Sequence, residues 1–355
     1  MTCWKLTGPI SRSFLSKPTP SVASDNEMRQ YFLGVDVGGT KTEALVADEA
    51  GQALSLGLAG PGNHEGVGYA GLKAALHESV GNALRTAGLM VEHIAGAGFG
   101  VGGYDWPSEL SPTLEVIRTL GLRCPQQAVN DTIIGLITGA EQGWGIAVVA
   151  GTGNNVRGRD RQGREGRITG NGTRFGEYGG ASELAARAIQ VVTYEWTRRG
   201  PPTALTPALI QWTGAKNLFD LIEGLELGAY EIDASAAPLI IQVARAGDPV
   251  AQEIVAWNGR ELGLSAVSVI RQLGLENERF DVVQVGSLHE AGPLFTEPLR
   301  QAIQEAAPGA RLVRLSAPPV IGGVLLGMQQ AGVDGNPLRP RLVSSTQALL
   351  ASRRC

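Results

Sequence analysis

Cysteine is scarce in this chain, which has three in 355 residues, at Cys3, Cys124 and Cys355. They are far apart and follow no CxxC or metal-ligand spacing. That argues against a disulfide framework, a zinc site or an iron–sulfur site, and it fits a reducing, cytoplasmic setting. An excess of positive charge is lacking too. Lys plus Arg number 30 against 34 Asp plus Glu, a net charge of −4, so no basic field is available to hold nucleic acid or an anionic membrane surface. No apolar run approaches the ~20 residues needed to cross a bilayer. The opening stretch 1–26 has no apolar core or cleavage site of a secretory signal. Also missing are the GxxxxGK[ST] and GxGxxG patterns that open a helix onto a nucleotide phosphate. With 43% hydrophobic residues, the chain has the composition and length for two lobes that act on a small molecule.

The segment 1–29 carries no apolar periodicity and reads as a disordered arm, or as sequence upstream of a start at Met28. After it, apolar or alternating runs at 31–37, 42–48 and 52–58 are separated by Gly38-Gly39 and by Glu49-Ala50-Gly51. This pattern predicts a three-strand meander. A helix over 68–87, a strand over 93–101, a helix over 111–120, a strand over 127–130 and a helix from 132 follow, giving the order βββαβαβα. The pattern then restarts with strands over 145–150, 154–159 and 164–169, helices across 181–273, and strands over 280–285 and 311–315. A repeat in which each half opens on a Gly-rich turn predicts an α/β protein of two lobes. The expected division is 30–143 for the first lobe and 144–320 for the second, with helical insertions. A helix over 321–333 returns to the first lobe, and 334–355 forms a C-terminal tail.

Two short segments carry the chemistry. In Asp36-Val37-Gly38-Gly39-Thr40-Lys41 a strand ends on a carboxylate, and the following turn brings backbone N–H groups, a hydroxyl and an amine together. Such a turn can cradle phosphate oxygens, with Asp36 beside Mg²⁺ through water. Gly151-Thr152-Gly153 repeats the device after the first strand of the second half, with Thr152 placed to donate to phosphate oxygens. Either alone could be an ordinary glycine turn. Two of them, each opening a meander, point to lobes that close on one polyphosphate.

The ordered set of Asp36 to Thr42, Gly60 to His64, Gly100 to Gly103, Asn130-Asp131, Ala150 to Asn155, Gly176 to Gly180 and Val285-Gly286-Ser287 resembles the BadF/BadG/BcrA/BcrD-type ATPase family. Within that family it is most similar to the N-acetylglucosamine and glucosamine kinases. The resemblance implies two actin-like, ribonuclease H-like lobes, a Mg²⁺–ATP site between them, and phosphoryl transfer to a sugar hydroxyl. It implies that Asp131 is the general base, although Asp131 also reads as an N-cap for the helix after it. It places Asn63 and His64 on the sugar, together with Asn155, Gly170, Asn171 and Glu177. Asp105 either joins them or closes a loop. Gly38, Gly39, Thr40, Lys41, Gly151, Thr152, Gly153, Gly286, Ser287 and Asn258 fall to the nucleotide. Where the family more often has Gly-Asp-Glu-Gly-Ser, this chain has Gly176-Glu177-Tyr178-Gly179-Gly180, which leaves the identity of the sugar open.

Two other readings compete. An ATPase that activates a partner enzyme or acts as a sensor would use the same loops, but the iron–sulfur activators need closely placed cysteines. A sugar-responsive repressor needs a DNA-binding module before the first glycine turn, where only about 30 residues stand. The partner expected is therefore a small sugar, with no nucleic acid and no membrane, and a homodimer is left open.

Overall fold

Both meanders form, and each begins a five-stranded sheet. The computed structural model describes residues 29–352; the expected arm up to residue 28 lies outside them. In the first half β1 (Tyr31–Val37), β2 (Thr42–Asp48) and β3 (Ala53–Ala59) run antiparallel. Helix α1 (His64–Ala87) crosses over to β4 (Ile94–Val101) and α2 (Leu110–Arg118) to β5 (Gln126–Asn130), which leads straight into α3 (Asp131–Gly139). The sheet order is β3-β2-β1-β4-β5, with β4 parallel to β1 and β5 to β4.

The second half repeats this plan. Strands β6 (Gly145–Ala150), β7 (Asn154–Arg159) and β8 (Glu165–Arg167) form the meander. Helices α4 (Ala181–Trp196), α5 (Leu205–Thr213), α6 (Leu218–Glu226), α7 (Ala237–Arg245) and α8 (Pro249–Leu273) are inserted before β9 (Phe280–Val285). Helix α9 (Pro293–Ala306) then leads to β10 (Ala310–Arg314), and the order β10-β9-β6-β7-β8 matches that of the first sheet. Helix α10 (Val320–Gln330) occupies the place that α3 holds in the first half.

Central strands covered on both faces need continuous apolar runs rather than alternation, and Phe32, Leu33, Val35 and Val37 of β1 are all fully buried. One face of the first sheet packs on α1 through Leu72, Leu76, Val80 and Ala83. On the other face lie α3 and α10, and the core there also takes in Ala147 and Val283 from the second sheet. The two sheets thus share one central layer of helices. Helix α1 breaks at Gly68 (φ 68°, ψ 174°). Its regular part therefore starts where periodicity predicts, and the turn before it is a separate step capped by Asn63.

The segment expected as a tail is instead α11 (Arg339–Ser352). It is docked on the first sheet by the fully buried Leu342 and by Ser345, whose Oγ accepts from the Ala53 N–H at 2.9 Å.

Helix α10 lies against β1 and β4 at backbone distance. A Cβ on Gly34 would come within 2.3 Å of Val324 N, on Gly98 within 2.3 Å of Gly323 O, and on Gly96 within 2.2 Å of Gly327 O. These contacts are backbone on backbone, so no side chain can swing away to make room. Gly98→Ala is expected to destabilise by at least the ~1–3 kcal/mol typical of overpacking, whereas Gly88→Ala, at a site with open space but φ 68°, should cost only the ~1 kcal/mol of a strained C-cap. Equal losses of melting temperature in the two variants would contradict this packing.

Candidate active site

Four backbone segments of the first lobe converge at the carboxyl ends of β1, β4 and β5. Gly62 N and Asn63 N both donate to Gly38 O, at 3.0 and 3.2 Å, and Gly102 N donates to Val37 O at 2.8 Å. Gly102 and Gly103 are bare because the site fills their space. A Cβ at Gly102 would sit 3.2 Å from Asp131 Oδ2, and one at Gly103 (φ 81°) would sit 2.2 Å from Asn63 Oδ1. Asp36, the Gly38–Lys41 turn, Asn63, His64 and Asp131 are thereby gathered around one floor.

The two phosphate-type turns share a telling property. The N–H groups of Gly39, Thr40, Thr152 and Gly153 donate to no protein acceptor among the described residues. A Cβ at Gly39, Gly151 or Gly153 would meet no protein atom within 4 Å. Internal packing therefore does not demand glycine there, whereas close approach of an anion to bare backbone does. On the second lobe the turn is braced from behind: Ala181 N donates to Gly151 O at 2.9 Å and Ser182 N to Thr152 O at 2.8 Å. Gly286 (φ 98°) packs against Ala150 O. Thr152 and Ser287 face a cavity of about 610 Å³ that runs back to Asp233, Arg245 and Leu288. Asn258 does not line it. It is fully buried on α8 and donates to Gly180 O at 3.1 Å, one layer behind the loop.

Asp131 begins α3, but the cap is Asn130, whose Oδ1 accepts from Thr132 N at 3.0 Å; Asp131 Oδ1 accepts from the same N–H at 2.8 Å. Asn130 Nδ2 donates to Asp105 Oδ1 at 3.0 Å, and Asp105 is paired at 2.5 Å with Arg157 from β7 of the other lobe. Sequence reading missed Arg157. Its position in a predicted strand, two residues after Asn155 and so on the same face, was the available signal, and its partner stands 52 residues away. Desolvation at the cleft floor pushes Asp131 up to about 6 against the pull of the Thr132 N–H; the Asp105 charge adds to the rise and Arg157 opposes it. Desolvation, then the charges of Asp131 and Glu43, push Asp36 up to about 8.

On the sugar side predicted from sequence, Asn63 caps α1 through Glu65 N at 2.9 Å, and the His64 ring stacks on Tyr69 at 4.6 Å. Glu109, also missed from sequence, accepts from the N–H groups of Asp105 and Trp106 and lies 3.7 Å from His64 Nε2. Glu177 is buried, and its carboxylate takes Thr169 N, Thr169 Oγ1 and Asn171 N at 2.7, 2.8 and 3.1 Å. It thus shapes the loop bearing Gly170 and Asn171. Asn155 Nδ2 reaches across to Thr132 Oγ1 at 3.4 Å, and its Oδ1 has no partner.

Among the described residues no group of three or more His, Cys, Asp or Glu side chains is placed to hold a metal alone. A cation at Asp36 would have to complete its shell from water and ligand oxygens. With a folded pKa near 8 against 3.8 for the free side chain, Asp36 holds its proton in the metal-free fold. Its contribution to stability is then full at low pH and is lost as pH rises toward 8. In EDTA, Asp36→Asn should therefore gain melting temperature relative to the parent between pH of about 5 and 8. A difference that stays constant over that window would show Asp36 to be ionised throughout.

Known proteins resemble this chain over most of its length. N-acetyl-D-glucosamine kinase of Dictyostelium discoideum is 27% identical over 313 residues, spanning 84% of this chain and 98% of that protein. N-acetylmuramic acid/N-acetylglucosamine kinase of Clostridium acetobutylicum is 25% identical, spanning 85% and 99%. Among solved structures, a candidate N-acetylglucosamine kinase from Chromobacterium violaceum shares the fold with a TM-score of 0.61 at 23% identity, over 84% of this chain and 98% of that one. A ROK family glucokinase from Streptomyces griseus, solved with glucose and AMPPNP, shares it with a TM-score of 0.51 at 22% identity, over 84% and 99%. The family match runs over residues 33–327, from the first strand to the helix that seals the sheet, and the chain belongs to the BadF/BadG/BcrA/BcrD ATPase family.

Proposed function

We propose that this protein transfers the γ-phosphoryl group of ATP to a primary hydroxyl of N-acetylglucosamine or a related amino sugar. The observation that carries this reading is a half-buried carboxylate with a raised pKa, Asp131, between two turns whose backbone N–H groups point at nothing. The names of the relatives supply the substrate class. No helix among the described residues is long and apolar enough to cross a membrane, and we place the enzyme in the cytoplasm, where ATP is at hand.

Phosphoryl transfer asks mainly for positioning and charge neutralisation. The Gly38–Lys41 turn and the Gly151–Gly153 turn hold the phosphates from opposite lobes, with Thr152 donating its hydroxyl. Ser287 and Gly286 border the nucleoside, and Asn258 steadies Gly180 behind them. Asn63, His64, Asp105, Asn155, Gly170 and Asn171 surround the sugar, with Glu177 ordering the last two. Asp131 orients the attacking hydroxyl and takes its proton. Asp36 fits Mg²⁺: a hard carboxylate donor, desolvated and short of positive charge. When bound, the ion neutralises phosphate charge.

Arg157 tunes the base, because its positive charge favours the ionised form of Asp131 and its ion pair fixes Asp105 and, through it, Asn130. Asp131→Asn leaves the Asn130 cap in place and should fold normally, yet lose about 10²- to 10⁴-fold in kcat with a sugar acceptor. In the parent, kcat/KM should rise with pH through about 6 as Asp131 ionises, and Arg157→Gln should move that limb to higher pH. Near-normal kcat in Asp131→Asn, or an unmoved acid limb in Arg157→Gln, would place the base elsewhere.

A further inference from the structure

Alternate residues of β7 lie on one face, and on this strand they form a polar row reaching across to the first lobe. Asn155 meets Thr132, Arg157 meets Asp105, and Arg159 meets Gln329 of α10. The first two belong to the site described above. The third lies at the far end of α3, nine residues from Asp131 to Gly139, or ~12 Å away along the helix. There it lines a second inter-lobe cleft of about 420 Å³, whose walls include Trp144 and Arg159 from one lobe and Gln329, Asp334 and Asn336 from the other side.

This cleft is rich in unused donors, and the one lining carboxylate without an ion pair among the described residues, Asp334, is exposed on the far wall. Arg159 is only 8% exposed, no carboxylate lies within 4.0 Å of it among the described residues, and its one hydrogen bond, to Gln329 Oε1, is long at 3.4 Å. Its cross-strand neighbour Glu165, which burial pushes up and the Arg159 charge pulls back down, stays beyond that distance and forms no direct ion pair with it. Apart from Asp334, which is exposed and accepts only from Asn336 N at 3.0 Å, the other charges nearby are already matched. Asp160 is held by the N–H groups of Gln162 and Arg164 and by Arg164 Nε, and Arg161 pairs with Glu278 and covers Trp144. Arg339 closes the carboxyl end of α3 on Thr138 O and Ala140 O. Three side-chain amides spend their oxygens internally: Gln142 Oε1 on Trp144 Nε1, Gln329 Oε1 on Arg159, and Asn336 Oδ1 on Arg339. Their NH₂ groups donate to nothing among the described residues.

A buried guanidinium without a direct ion pair is costly, and its planar fork is matched by phosphate oxygens. We propose that this rear cleft is a binding site for a phosphate-bearing small anion, held by Arg159 with the amides of Gln142, Gln329 and Asn336. Its walls come from both lobes, so the bound anion joins them at the end of α3 opposite the reacting centre. The inference does not depend on which sugar is phosphorylated.

Inorganic phosphate titrated calorimetrically into the full chain at fixed ionic strength, without chloride, tests it. The parent and Thr152→Val, altered only in the front cleft, should show a saturable site of equal affinity. Arg159→Gln should weaken it at least tenfold, and Gln329→Leu, which keeps the guanidinium, should weaken it less; unchanged circular dichroism will establish that each variant is folded. Saturable binding that survives Arg159→Gln but disappears in Thr152→Val would put the phosphate in the front turns and overturn the rear site. No saturable binding in the folded parent would overturn it as well.

Discussion

Taking a carboxylate out of water costs several kcal/mol unless something compensates for it, and the floor of this cleft does so to Asp36 and Asp131 side by side. Much of the local sequence follows from that constraint. Asp131 is placed where the free N–H groups of a helix start can face it, and Thr132 N does so. Asn130 takes over the capping, leaving one oxygen of Asp131 free of the backbone. Arg157 arrives from the opposite lobe to set a positive charge nearby, and Gly102 has no side chain because Val37 O and, behind it, Asp131 fill the space. What the protein leaves uncompensated is Asp36, which retains its proton until a cation or a basic pH removes it.

The duplicated sheet makes this arrangement possible. Each copy ends its first strand on a bare turn, and the layer of α3 and α10 between the sheets is common to both, which in the proposed site lets two turns from distant parts of the chain hold one polyphosphate. The glycines where α10 meets β1 and β4 belong to the same design. Close backbone contact seals the first sheet with a helix contributed after the second, which ties the lobes together. Strand β7 joins the two regions, since its polar row passes from Asn155 at Thr132, through the Asp105 ion pair, to the rear cleft.

Much of the fold was legible in the sequence because it rests on local signals. β1, β2, β6 and β9 have the bounds that their apolar runs predict and β7 the bounds that the repeated meander predicts, and Gly-Gly or Gly-Thr-Gly turns mark the joints. Less was legible where a residue's role depends on a distant partner. Nothing adjacent to Arg157 announces Asp105, and nothing around Glu177 shows that its oxygens are spent on its own loop. The cap on α3 reads one residue late, because Asn130 and Asp131 are both capping residues and only geometry separates them. Helix α11 follows a Gly- and Pro-rich stretch and has few apolar positions to bury, so its Leu342 contact with the core is invisible without the sheet it docks on.

The central claim is that the gap between these turns is built for transfer of a phosphoryl group to a sugar, and not for hydrolysis alone. Phosphorus and proton NMR of a mixture of the protein, Mg²⁺–ATP and N-acetylglucosamine reads the reaction directly. The account predicts one sugar phosphomonoester, on the primary hydroxyl, formed in step with ADP and with little inorganic phosphate. Conversion of ATP to ADP and phosphate at a rate indifferent to N-acetylglucosamine, glucosamine or any other sugar would contradict it.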